Sequence, residues 1–209
     1  MKSEFKILIG LLLVVVVLFF AFANMLGSER SVEISDHDPV LGQPGAPVTF
    51  VMFGDYKCGH TRTFFEETFP KLKEKYIDTG KIKFVYKQLL LGDDSWAEAE
   101  ASLCANQQGK FWPFISALFE SREQTTEENT SSDKYANEIR IALELGLDEN
   151  EFYDCLMQGA NKALIQQNVE EAERLKIAGT PTSLINGLKV EGAVPFEDFE
   201  SVLSKFSYL

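Results

Sequence analysis

Five side chains in this 209-residue sequence have chemistry to offer near neutral pH: Cys58, Cys104, Cys155, His37 and His60. No two cysteines form a C-x-x-C pair, so the spacing describes no zinc site, and nothing in the sequence calls for a metal or cofactor. Cys58 stands in VTFVMFGDYKCGHTRTFF, where an apolar run gives way to a helical pattern. A thiol at that mouth faces unpaired backbone N–H groups and the positive end of the helix dipole. Both favour the thiolate, which is the reactive form. The alternative is a small buried hydrophobe, the usual fate of a free cysteine. The end of a core strand in an α/β fold is where sites form, which favours chemistry. His60, when protonated, would also favour the thiolate; otherwise it is a solvent-facing residue of the first turn. His37, in SDHDP, reads as a solvated turn residue. Asp55, three residues before Cys58, reads as a strand-end hydrogen-bond acceptor for backbone.

The elements that must position Cys58 follow from periodicity. Residues 48–56 read as a buried strand. From Gly59 a helix carries Phe65, Phe69, Leu72 and Tyr76 on one face, with Pro70 set to kink it. Residues 81–88 alternate and predict a second strand, parallel to the first through a right-handed crossover. Helical patterns then cover 95–106, 110–121, 132–145 and 148–158, punctuated by Gly109, Gly146 and Gly159, with a polar loop at 120–133. A further helix covers 162–175. Residues 182–185 and 188–191 flank Asn186-Gly187, a strong hairpin signal. A last helix begins at Pro195. This order predicts an α/β, thioredoxin-like fold with an all-helical insertion at about 93–160, preceded by an N-terminal hydrophobic helix.

Residues 7–23 run seventeen positions without a charge, after Lys2 and Lys6 and before a predominantly acidic stretch. That polarity predicts the N-terminus inside and the domain outside the cytoplasm. The length suits a short membrane anchor, while Ala21-Phe22-Ala23 has the form of a cleavage site, so a secreted or periplasmic product is the alternative. The expected organisation is an anchor or signal at 1–25, a Pro- and Gly-bearing tether at 26–45, and one domain at 46–209. The net charge of −12 excludes a nucleic-acid partner, which needs clustered Lys and Arg.

FGDYKCGHTRTFFEETFPKLKEKYIDTGKIKFVYKQL resembles the start of DsbA-like thioredoxin domains, which usually read F-x-D-Y-x-C-P-x-C. The likeness continues in AEASLCANQQGKFWPF, FYDCL and GTPTSLINGLKVEGAVP, and so spans residues 38–205. It implies a thiol–disulfide oxidoreductase fold with Cys58 as nucleophile. It also implies a cis-proline at Pro181, where the backbone of Thr180 would pair with an extended substrate. From residue type alone, Thr180-Pro181 is only an X-Pro at the start of a strand. Some relatives carry cysteines at the places of Cys104 and Cys155, which implies a structural bridge between them. Two separately buried thiols are the alternative. This sequence departs from the family in having Thr61 where the second cysteine stands. Cys58 then has no neighbour with which to close a disulfide. The Thr61 hydroxyl would instead donate to its thiolate.

Two functions remain in view. One is an extracytoplasmic thiol–disulfide oxidoreductase forming mixed disulfides through Cys58 with protein, peptide or small thiols, reset by an external thiol or a membrane redox partner. The other is a non-catalytic module that uses the Thr180-Pro181 groove to hold a peptide or partner. A single-cysteine iron–sulfur carrier fits the compartment poorly.

Overall fold

The structure, a computed structural model, describes residues 14–17, 19, 32–92, 95–124 and 134–206. The chain divides into two compact units, Met1–Glu33 and Ile34–Leu209, and the second carries everything that follows. Of the apolar run at 7–23, only residues 14–17 and 19 are described, as helical. The rest of the expected anchor or signal lies outside the described residues. Among those described, no helix is long and apolar enough to cross a membrane.

Strand β2 (Val48–Gly54) is buried along almost its whole length, which is why it reads as a continuous apolar run rather than an alternation. It pairs in parallel with β3 (Ile82–Gln88), from Val48 opposite Ile82 to Gly54 opposite Gln88. Both strands therefore end on one edge, just before Cys58. On its other side β2 pairs antiparallel with β4 (Thr182–Ile185), with Phe53 opposite Thr182, so the start of β4 arrives at that same edge. β5 (Leu188–Glu191) closes the hairpin. Asn186 and Gly187 take φ of 46° and 83°, the left-handed pair that a two-residue turn of this twist requires.

A short strand β1 (Val40–Leu41) pairs antiparallel with β3 and makes the sheet order β1-β3-β2-β4-β5. Its residues were expected in the tether at 26–45; they form a sheet edge instead. Two residues leave no periodicity to read. What holds them is tertiary: Tyr86 N–H donates to the Pro39 carbonyl at 3.1 Å, and Asp38 is buried against Lys87.

The run after Cys58 is α1 (Gly59–Thr63), a π-helical turn (Phe64–Thr68), α2 (Phe69–Leu72) and a second π-helical turn (Lys73–Ile77). Pro70 has no N–H to donate, and the first widened turn ends just before it, where the expected kink would fall. Phe50, Phe84 and Phe199 meet Phe64 with ring centroids 6.2, 6.3 and 5.6 Å away, which seats the helix start on the sheet.

The helical insertion comprises α3 (Trp96–Gln107), α4 (Phe111–Gln124), α5 (Ala136–Glu144) and α6 (Glu149–Gln158); α7 (Lys162–Arg174) follows it, and α8 (Phe196–Leu203) ends the described chain. Every residue of α3 from Ala97 to Ala105 is buried, because its alanines and Ser102 let neighbours approach on all sides. Tyr56 joins sheet to insertion, with its ring 5.4 Å from Tyr86 and 6.1 Å from Phe119. Asp148 caps α6 by accepting from Glu151 N–H at 2.9 Å, and Gly159 ends it in the left-handed conformation.

Candidate active site

Cys58 is the N-cap residue of α1, with extended backbone at φ −76° and ψ 120°. Its N–H donates to the Asp55 carbonyl at 3.1 Å, and its own carbonyl accepts from Arg62 at 3.2 Å. The sulfur is partly exposed, and a Cβ added at neighbouring Gly59 would meet nothing within 4 Å, so the site is open on that side. Across the edge of the sheet, the Thr180–Pro181 peptide is cis, and the Cys58 thiol donates to the Thr180 carbonyl at 3.2 Å. The antiparallel register of β4 on β2 brings these residues together although 122 positions separate them.

Asp55 holds the turn in place. Its buried carboxylate accepts from Lys57 N–H at 2.7 Å, from Leu91 N–H at 2.7 Å and from the Ser95 hydroxyl at 2.8 Å. Ser95 thus ties the insertion to the Cys58 turn and does not cap α3 with its side chain. Gly54 is required on the same strand end: a Cβ there would lie 2.6 Å from the hydroxyl of Tyr86, which is fully buried.

Burial pushes the Cys58 thiol up, but hydrogen bonds outweigh it and hold the group below its ordinary value of 9.0. The largest comes from Thr180, followed by the backbone N–H groups of Thr61 and His60 and then the Thr61 side chain. Thr61 is fully buried. With the thiol protonated, the Thr61 hydroxyl and that of Thr180 have no hydrogen-bond partner among the described residues, so both act as donors only to the thiolate. While protonated, the thiol uses its hydrogen on the Thr180 carbonyl. Once the proton leaves, the sulfur becomes an acceptor, and two unused hydroxyl donors stand ready for it. His60 is exposed; it is the backbone N–H of His60 that reaches the sulfur.

Cys104 and Cys155 form a disulfide between α3 and α6, with Cα atoms 5.9 Å apart. Two buried polar clusters lie outside the residues that the sequence marks. In the first, Asn161 donates from its backbone N–H to Glu100 at 2.8 Å, while its side-chain amide also faces both disulfide sulfurs. Nothing in the local sequence marks this. In the second, buried Lys87 pairs with Asp38 at 3.0 Å and Glu171 at 2.9 Å, and donates to Asn168 at 3.0 Å. Asn168 in turn donates to Gln88 at 2.9 Å. Burial raises the Asp38 carboxyl, and Lys87 pulls it only partly back. Here a signal existed: a lysine near the end of a strand covered on both faces must find a partner. His37 is exposed in its turn and belongs to neither cluster.

The model for the family described as Thioredoxin matches residues 35–205. A probable disulfide bond formation protein D of Bacillus anthracis is 32% identical over 150 residues, covering 70% of this chain and 69% of the relative. Among solved structures, α-DsbA1 of Wolbachia pipientis superposes with a TM-score of 0.74 at 27% identity, covering 85% of this chain and 94% of its own. Oxidised BdbD of Bacillus subtilis superposes with a TM-score of 0.70 at 25% identity, covering 81% and 92%.

Proposed function

We propose, from the premise that this chain belongs to the DsbA-like thioredoxin family, that it is a thiol–disulfide oxidoreductase in which Cys58 acts as the lone nucleophile. The observation that carries this reading is the contact of the Cys58 sulfur with Thr180, at a helix mouth whose hydrogen bonds favour the thiolate. The Cys58 thiolate attacks one sulfur of a substrate disulfide; that S–S bond breaks, and the other sulfur leaves as a thiolate and takes up a proton. The resulting mixed disulfide has no resolving sulfur at position 61. An external thiol must attack it, restoring Cys58 and carrying the new disulfide away. The backbone at Thr180 would align an extended protein or peptide substrate beside the sulfur. His60 remains on the open side, where an incoming thiol passes. A domain outside the cytoplasm, tethered or released through residues 7–23, is supported by the charge asymmetry around that run and by a disulfide in the insertion.

The test is trapping. Non-reducing gels of cells expressing the protein should show slow adducts that collapse with reductant. Cys58→Ser should abolish them, while Cys104→Ser should not. Thr61→Cys should shorten their lifetime and confer dithiol oxidase activity. Failure of Thr61→Cys to gain activity, together with an ordinary titration of Cys58, would favour a partner-binding module instead.

A further inference from the structure

The sulfur atoms of Cys104 and Cys155 and a carboxylate oxygen of Glu100 lie within 4.8 Å of one another. All three converge on one atom. The side-chain nitrogen of Asn161 stands 3.4 Å from Cys104 Sγ, 3.3 Å from Cys155 Sγ and 3.2 Å from Glu100 Oε1. A hydrogen-bond donor and a metal cation make the same demand on their surroundings, namely lone pairs directed at one point. Glu100 is 4% exposed and forms no salt bridge among the described residues. Glu100 nonetheless borders a cavity of about 460 Å³ with Trp96, Tyr135, Met157 and Lys162. While the two sulfurs are bonded to each other, they are poor ligands.

We propose that reduction of the Cys104–Cys155 disulfide converts this cluster into a site for a thiophilic divalent cation of the Zn²⁺ class, with Cys104, Cys155 and Glu100 as protein ligands. A dithiol supplies two electrons and two protons, the S–S bond breaks, and the dithiol leaves as its own disulfide. Cation binding then expels both thiol protons, so two thiolates and one carboxylate face the metal. Tetrahedral Zn–S bonds of about 2.3 Å need sulfurs roughly 3.8 Å apart. Two cysteines with Cα atoms 5.9 Å apart reach that separation by side-chain rotation. Turning the Asn161 amide over replaces its donor with Oδ1, a fourth oxygen ligand, at the loss of the 3.0 Å bond it accepts from Gln107. Cavity water is the other source of a fourth ligand. The proposal is independent of chemistry at Cys58.

The experiment uses the full chain carrying Cys58→Ser, so that only these two thiols exist. Oxidised and reduced protein are titrated anaerobically with Zn²⁺ against a chromophoric chelator, and with Co²⁺ as a spectroscopic probe. Reduced protein should bind one equivalent at least a hundred-fold more tightly than oxidised protein, and Co²⁺ should give thiolate charge-transfer and tetrahedral bands. Glu100→Gln should weaken binding ten-fold or more, without changing the fold of the oxidised form by circular dichroism. Equal affinity before and after reduction, or an unaltered affinity in Glu100→Gln, overturns the assignment. If reduction unfolds the chain, recovery of its helical signal with stoichiometric Zn²⁺ supports the site, and a chain that stays unfolded with Zn²⁺ overturns it.

Discussion

In the proposed mechanism, Thr61 is the residue on which the chemistry turns. Its buried, unpartnered hydroxyl stands where a second sulfur would make Cys58 part of a dithiol, and it retains one function of that sulfur: it lowers the Cys58 thiol. Thr61→Val removes the donor and keeps the shape. Alkylation of Cys58 at neutral pH should then slow by roughly two- to ten-fold, the equivalent of one net hydrogen bond. The midpoint of its pH–rate profile should rise toward the ordinary thiol value. The sign follows from linkage. The folded chain gives up the Cys58 proton more readily than the unfolded chain, so this group's stabilisation is fully present above the unfolded value of 9.0. It is lost as pH falls through the lower folded midpoint. Stability measured through that alkaline window should therefore rise with pH in the wild type and rise less in Thr61→Val.

At the scale of elements, buried polar ties decide how strands and helices meet at the site. Asp55 joins the end of β2 to the loop after β3 and to the start of α3. Lys87 joins the end of β3 to the entry segment through Asp38 and to α7 through Glu171 and Asn168. Lys87 and its two carboxylates are almost wholly buried, so removing the cation leaves two acids facing each other without water. Lys87→Met should cost about 3–5 kcal/mol, read from the urea midpoint at unchanged slope. Because Asp38 anchors the chain just before β1, the same variant should expose the 34–45 segment to limited proteolysis before the rest of the domain. A surface ion pair such as Arg140–Glu144, 50% and 60% exposed, should give no comparable effect on removal.

At the scale of the molecule, the aromatic seam of Tyr56, Tyr86 and Phe119 packs the insertion on the sheet, and the disulfide ties two of its helices, α3 and α6, to each other. The bridge joins residues 51 positions apart. Closing a loop of that length restricts the unfolded chain by about 4 kcal/mol. Thermal unfolding of Cys58→Ser with and without reductant should separate by the corresponding shift in melting temperature, and Cys104→Ser/Cys155→Ser should match the reduced form. If the two melts coincide, the bridge adds nothing to the packing of α3 on α6.

Much of this fold is written in short stretches of neighbouring residues. The apolar run at 48–54, the period of 81–88, the Asn186-Gly187 turn and the glycines closing the insertion helices each specify an element through a few adjacent residues. The helix mouth at Cys58 and the absence of a second sulfur at Thr61 are local too, and both are visible in six letters, KCGHTR. Even there the detail differs: the helix expected from Gly59 is interrupted by two widened turns, with Pro70 in the short α2 between them. The remaining features depend on contacts between residues far apart in the chain. Strand β1 exists because β3 offers an edge and Lys87 a partner for Asp38. The pairing of Thr180 with Cys58 depends on the register of β4 on β2. Asn161 meets Glu100, Cys104 and Cys155 only because α3, α6 and the start of α7 close around one buried point. A burial energy that depends on the partner's position cannot be read from either residue alone.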